Sequence, residues 1–237
     1  YEETFYYCKQ LESIVIPAGV TSIGNSAFAG CEVLKSVTIP DSVTSIGSFA
    51  FFDCKQLESV TIPSGTIRIE KQAFTGCETL KSITIPDGVT DIGIKAFSEC
   101  KSLEDVTIPD SVTSIGELAF QSCTSLKSIT VPKKVTNIGP SAFKNCASLT
   151  AFTVAKENTA FASVDGVLFS RNCDTLISYP AGRNGSEYVI PDSVKNICKG
   201  AFSACTLLKS ITIPDNTTNL VEPAFENCTT LENVTFG

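Results

Sequence analysis

Residues 34–56 read LKSVTIPDSVTSIGSFAFFDCKQ. The next stretch, residues 57–79, reads LESVTIPSGTIRIEKQAFTGCET, and residues 80–102 read LKSITIPDGVTDIGIKAFSECKS. A fixed period of twenty-three residues marks a repeat architecture in which each unit is one turn of a solenoid. Units begin at Leu11, Leu34, Leu57, Leu80, Leu103, Leu126 and Leu149, resume near Gly185, and recur at Leu208 and Leu231. The chain is therefore expected to form one domain over residues 1–237, of about ten coils.

Each unit predicts three local structures. In Leu34-Lys35-Ser36-Val37-Thr38-Ile39-Pro40, apolar Val37 and Ile39 alternate with Ser36 and Thr38. That is the period of a strand with one buried and one open face, ended by Pro40, which has no N–H to donate. A turn and a second short extended piece follow, with Val43 and Ile46 inward. Gly47, repeated as Gly24, Gly93, Gly116 and Gly139, is expected to supply a conformation that other residues resist. Glu70, Cys198 and Val221 are exceptions at this slot, so positive φ is not expected to be compulsory there. Ala50-Phe51-x-x-Cys54 then predicts a compact turn with a short 3₁₀ or α-helical piece, and Phe51 is the wedge that fills the coil. Its equivalents are Phe28, Phe74, Phe97, Phe120, Phe143, Phe202 and Phe225.

The strand LxxIxI followed by P-x-x-V-x-x-I-G-x-x-A-F-x-x-C resembles the leucine-rich repeats of the BspA-like, or Treponema pallidum-type, class. The resemblance covers nearly the whole chain. It implies a leucine-rich-repeat solenoid: a right-handed, curved superhelix, mostly parallel β, with the sheet on the concave side. It also implies a secreted or cell-surface protein, with links to adhesion.

The period breaks at residues 149–184, thirty-six residues where twenty-three would serve. Phe152-Thr153-Val154 keeps the strand pattern. Residues 161–179 then read as a small meander, with Asp165-Gly166 as a hairpin turn between alternating apolar residues. Two readings stand: a brace that plugs the solenoid, which is favoured, and a binding loop, for which Asp165, Arg171 and Tyr179 are the candidates.

Of the eleven cysteines, Cys8, Cys31, Cys54, Cys77, Cys100, Cys123 and Cys146 lie twenty-three apart, and Cys205 and Cys228 rejoin the register. They are expected as an interior column of mostly free thiols behaving as small hydrophobes. Cys173 and Cys198 lie off this ladder and have no evident partner. No CxxC pair and no histidine is available for a metal, so no metal site or cofactor is expected. A cysteine nucleophile would lack a histidine base. Charges alternate between coils at two positions: Lys9, Glu32, Lys55, Glu78, Lys101 after cysteine, and Glu12, Lys35, Glu58, Lys81, Glu104, Lys127 after leucine. Exposed pairs contribute little stability. The pattern reads as control of coil register, because a slip by one coil would bring like charges together.

The open strand face carries Ser36/Thr38, Ser59/Thr61, Ser82/Thr84, Asp105/Thr107 and Ser128/Thr130. These residues either solvate a parallel sheet or form a broad polar recognition surface for a protein or glycan. The face lacks the Tyr, Trp and Arg that anchor tight interfaces. Asn184, Asn216, Asn227 and Asn233 sit in sequons that would carry glycans in a secreted eukaryotic protein; chance occurrence in a Thr-rich repeat is the default reading.

A net charge of −7 argues against a nucleic-acid partner. No apolar run reaches the length of a membrane span, so no membrane insertion is expected. The chain begins within a repeat, with Phe5-Tyr6-Tyr7-Cys8 in the Ala-Phe-x-x-Cys slot, so signals and a cap are expected outside it. The reading is a non-enzymatic recognition or adhesion domain, secreted or at the cell surface, for a host-matrix or other cell-surface partner. The alternatives are a rigid stalk and an accessory module of a larger enzyme.

Overall fold

The computed structural model describes residues 2–237. It is a parallel β-solenoid in which each coil contributes two short strands. Ser36–Thr38 pairs in parallel with Ser13–Val15 before it and with Ser59–Val60 after it, residue for equivalent residue. Ser45–Ile46 pairs likewise with Ser22–Ile23. Between them the Pro40 carbonyl accepts the Val43 N–H at 3.0 Å, a turn that recurs at Pro17, Pro63, Pro86, Pro109 and Pro132.

The expected helical piece at Ala-Phe-x-x-Cys is not formed; no helix occurs among the described residues. Instead, the segment alternates its hydrogen bonds. Ala50, Phe52 and Cys54 donate to the carbonyls three residues earlier in the same coil. Phe49, Phe51 and Asp53 donate to Lys71, Ala73 and Thr75 of the next coil at 2.9, 2.8 and 2.8 Å. Phe49 and Asp53 have φ of 60° and 54°. Left-handed residues at these two points break helical continuation. They also turn alternate N–H groups sideways into an inter-coil ladder.

The interior is a set of columns. Phe28, Phe51, Phe74, Phe97, Phe120 and Phe143 stack in sequence, with ring centroids 5.2 to 5.8 Å apart. Val43, Ile46, Leu57, Leu80, Leu103 and Leu126 are fully enclosed beside them. The glycine after the second strand serves a purpose other than the one expected. Gly47, Gly93 and Gly116 do not have positive φ. A Cβ there would lie 2.6–2.7 Å from the backbone or side-chain atoms of the coil before it, so the column is glycine because adjacent coils touch.

At the break, Phe161–Val164 and Val167–Ser170 form an antiparallel hairpin. Its turn is Asp165-Gly166, with φ of 50° and 79°, as a two-residue hairpin of this sequence requires. Val167–Ser170 then pairs antiparallel with Thr175–Ser178, which pairs in parallel with Asn196–Ile197. Val167–Ser170 is also a partition. Leu168 joins the core packed around residues 16–161, while Val167 and Phe169 join a second core extending to Ala224.

Candidate functional site

Strand pairing aligns the open-face candidates into columns. Ser36 faces Ser59, Ser82 faces Asp105, and Thr84 faces Thr107. All ten, from Ser36 and Thr38 to Ser128 and Thr130, are exposed, while their neighbours Val37, Val60, Ile83, Val106 and Ile129 are buried. None of the ten side chains bonds to another group of the described chain. Threonines just before the second strand differ: the Thr44, Thr90 and Thr113 hydroxyls donate to carbonyls of the coil before. The strand face thus keeps its hydrogen-bonding capacity for solvent or a partner. Two exposed valines take threonine positions, one on each side of the irregular coil. Val15 aligns with Thr38 and is 74% exposed; Val189 aligns with Thr212 and is 67% exposed. Alternation counted from Leu11 and Gly185 places them there, although their apolar character hides them in a search for polar columns.

Of the insertion candidates, Asp165 is exposed at the hairpin turn, and Arg171 is exposed after the following strand. Tyr179 corrects the expectation of a loop residue. It is 4% exposed, its ring stacks on Phe202 at 5.2 Å, and its N–H donates to the Ala201 carbonyl at 2.8 Å. These are the contacts of the phenylalanine wedge, so Ser178-Tyr179 takes the place of Ala-Phe in the irregular coil. The Arg183 guanidinium lies 5.6 Å from the Tyr179 ring centre and 5.3 Å from that of Tyr188. Burial pushes the Tyr188 hydroxyl up to about 12, against the opposing charge of Arg183.

All eleven cysteines are free thiols. From Cys31 to Cys146 each ladder thiol donates to the carbonyl of the phenylalanine one coil back, as from Cys54 to Phe28 at 3.1 Å, Cys77 to Phe51 at 3.3 Å and Cys100 to Phe74 at 3.2 Å. Burial pushes the Cys31 thiol up to about 11 and the Cys146 thiol up to about 12. Such groups are packing elements rather than nucleophiles, since the thiolate is the reactive form. The charge columns form inter-coil ion pairs. Glu32 bridges Lys9 and Lys55 at 2.9 and 3.3 Å, and Lys35–Glu12, Lys101–Glu78 and Lys127–Glu104 repeat the arrangement. No helix among the described residues is long and apolar enough to cross a membrane.

The sequence profile of the BspA type leucine rich repeat region matches residues 1–68, 44–172 and 181–237. Among solved structures, a leucine rich cell surface protein from Faecalibacterium prausnitzii A2-165 is 31% identical. The match covers all of this chain and 82% of that one, with a TM-score of 0.72. The pneumococcal vaccine antigen PcpA is 30% identical over 94% of this chain and 50% of its own, with a TM-score of 0.73. A leucine-rich repeat protein from Bacteroides ovatus is 32% identical over 95% of this chain and 63% of its own, with a TM-score of 0.63. The chain thus spans half the length of the pneumococcal antigen. No curated protein matches it.

Proposed function

This chain belongs to the BspA-type leucine-rich repeat family, and on that premise we propose that it is the recognition module of a secreted or cell-surface protein, binding another protein through its open strand face. The observation that carries the reading is the state of the two polar columns. Ten aligned side chains from Ser36 to Thr130 project outward with none of their hydrogen-bonding capacity used among the described residues. A repeated surface of small hydroxyls suits an extended polar partner. Its side chains lose little rotamer freedom on binding. The exposed Val15, aligned with Thr38, adds an apolar contact to the same column.

Placement outside the cell is supported by similarity to a protein described as a cell surface protein and to one described as a vaccine antigen. The chemistry is that of a binding module rather than an enzyme. The mid-stack cysteines are engaged in packing, and charges such as Lys9, Glu32 and Lys55 are paired along the outside of the stack.

The test is a binding survey of the folded chain against extracellular-matrix proteins and immobilised glycans, by surface plasmon resonance. A double variant, Thr61→Lys with Thr84→Lys, runs in parallel. Saturable binding to a protein that the variant loses supports the reading. Retention by the folded variant would move the site off this face. Binding only to glycans would change the partner class, and no binding across the survey would favour a stalk.

A further inference from the structure

The irregular coil leaves a cavity. In a regular coil five positions separate the second-strand isoleucine from the wedge, as from Ile46 to Phe51; in the irregular coil only three separate Leu176 from Tyr179. Both ends are nonetheless in place. Leu176 pairs with Ile197, and Tyr179 bonds to Ala201. The two missing residues belong to the glycine-containing turn. In their place, between Gly139-Pro140-Ser141 on one side and Cys198-Lys199-Gly200 on the other, lies a cavity of about 330 Å³. Ligand pockets span roughly 300–1,000 Å³.

The same shortening leaves donors without acceptors. One coil earlier, the Leu118, Phe120 and Ser122 N–H groups donate to Pro140, Ala142 and Lys144 at 3.2, 2.8 and 2.8 Å. The corresponding N–H groups of Ser141, Phe143 and Asn145 have no acceptor in the described chain. Ser141 and Phe143 line the cavity. Ile138, Ile177 and Val221 give it apolar walls. Lys144 and Lys199 stand at its edge; Lys144 is held by Glu226 at 2.7 Å, and Lys199 has no ion pair among the described residues. Free backbone N–H groups beside a cation bind anionic oxygen, and the walls accept a ring or short alkyl body.

We propose that this cavity is a binding site for a small carboxylate with an apolar body, of the size of an aromatic monocarboxylic acid. The carboxylate oxygens take the place of the missing turn's carbonyls before the Ser141 and Phe143 N–H groups. The body lies against Ile138, Ile177 and Val221. This site is separate from the strand face and does not depend on it.

The experiment is titration of the intact chain with benzoate, followed by ¹H–¹⁵N NMR, with benzyl alcohol as the neutral isostere. Saturable shifts of the Ser141 and Phe143 amides are expected, with benzyl alcohol at least tenfold weaker. Two variants test the location: insertion of Gly-Asn between Leu176 and Ile177, which restores the regular spacing, and Val221→Phe. Val221 is 37% exposed, so that variant closes the mouth without entering the core. Loss of binding in whichever variant folds supports the site. Absence of saturable shifts, equal binding of the alcohol, or undiminished binding in a folded variant overturns it.

Discussion

The Cys54 thiol donates to the Phe28 carbonyl, 3.1 Å away and twenty-six positions back in the chain. The same oxygen accepts the Cys31 N–H at 3.1 Å within its own coil. The cysteine column therefore links each phenylalanine turn to the next while filling the space behind it. It follows that the mid-stack thiols should be unreactive in the native state. Cys8 is exposed and should be labelled by a thiol reagent at pH 8, while Cys77, Cys100 and Cys123 should react only after unfolding. Mass spectrometry of the labelled peptides checks this; rapid native labelling of Cys100 would contradict the burial.

Alkaline pH should weaken the fold through the same column. Burial raises the Cys31 thiol from 9.0 to about 11, and it pushes the mid-stack thiols up as well. A folded pKa above the unfolded one means that the native state holds protons which the unfolded chain has already released. The stabilisation is complete below pH 9 and is lost as pH rises towards the folded values. Denaturation midpoints should be flat from pH 7 to 8.5 and fall between pH 9 and 11. The fall should be shallower in Cys31→Ala than in the parent protein.

Coil spacing is set at the glycine column, and Gly116 tests it. A Cβ there would sit 2.6 Å from the Gly93 carbonyl carbon. Gly116→Ala must push two backbones apart and should cost about 1–3 kcal/mol, as overpacking does. At Gly19 no atom lies within 4 Å of the added Cβ, and φ is not positive. Gly19→Ala should be neutral or slightly stabilising, by up to about 1 kcal/mol. Urea denaturation of the two variants gives the comparison. Equal effects would show that the column is glycine for another reason.

Much of this was legible in the residues. Alternation in Ser36-Val37-Thr38 gave the open and buried faces, and the spacing of Phe51 and Cys54 gave the inner columns. The helical expectation failed because Phe and Cys three apart suit a helical turn and a pair of tight turns equally. The choice is made by the sideways N–H of Phe51, which bonds a residue twenty-two positions later. The exceptions at the glycine slot showed that positive φ is not compulsory there, but the actual constraint is contact between coils, which no single unit displays. Tyr179 carried a usable signal, since it stands twenty-three residues before Phe202. The two-residue shortening before it, and serine in place of alanine at Ser178, concealed the match.

The phenylalanine stack should carry a large share of the stability. Phe97 is fully buried between Phe74 and Phe120, 5.6 and 5.4 Å away. Phe97→Ala removes both stacking partners' contacts and leaves a cavity, at a cost of about 3–5 kcal/mol. Phe97→Leu should cost less. An unchanged thermal midpoint in Phe97→Ala would contradict the packing.

Thr84 and Ile83 separate the two faces of one strand. Thr84 is exposed and Ile83 is 4% exposed. Thr84→Lys should change stability by no more than about 0.5 kcal/mol, as surface substitutions do. Ile83→Lys buries an unpaired charge and should prevent folding. Circular dichroism melts of the pair decide this, and a Thr84→Lys variant that fails to fold would show the strand face to be covered.

Tyr179 should behave as a phenylalanine. Its ring stacks on Phe202, which stacks in turn on Phe225 at 4.9 Å, so it begins the aromatic column of the second core. Tyr179→Phe keeps the stack and should change stability by less than about 1.5 kcal/mol, as shape-conserving swaps do. Tyr179→Ala should cost about 3–5 kcal/mol. Because Val167–Ser170 partitions the two cores, that loss should fall first on residues after 167. Hydrogen exchange should then show amides near Phe202 and Ile211 losing protection while those near Phe74 and Phe97 keep theirs. Uniform loss along the chain would mean that the partition does not separate the cores energetically, and that the whole solenoid opens as one unit.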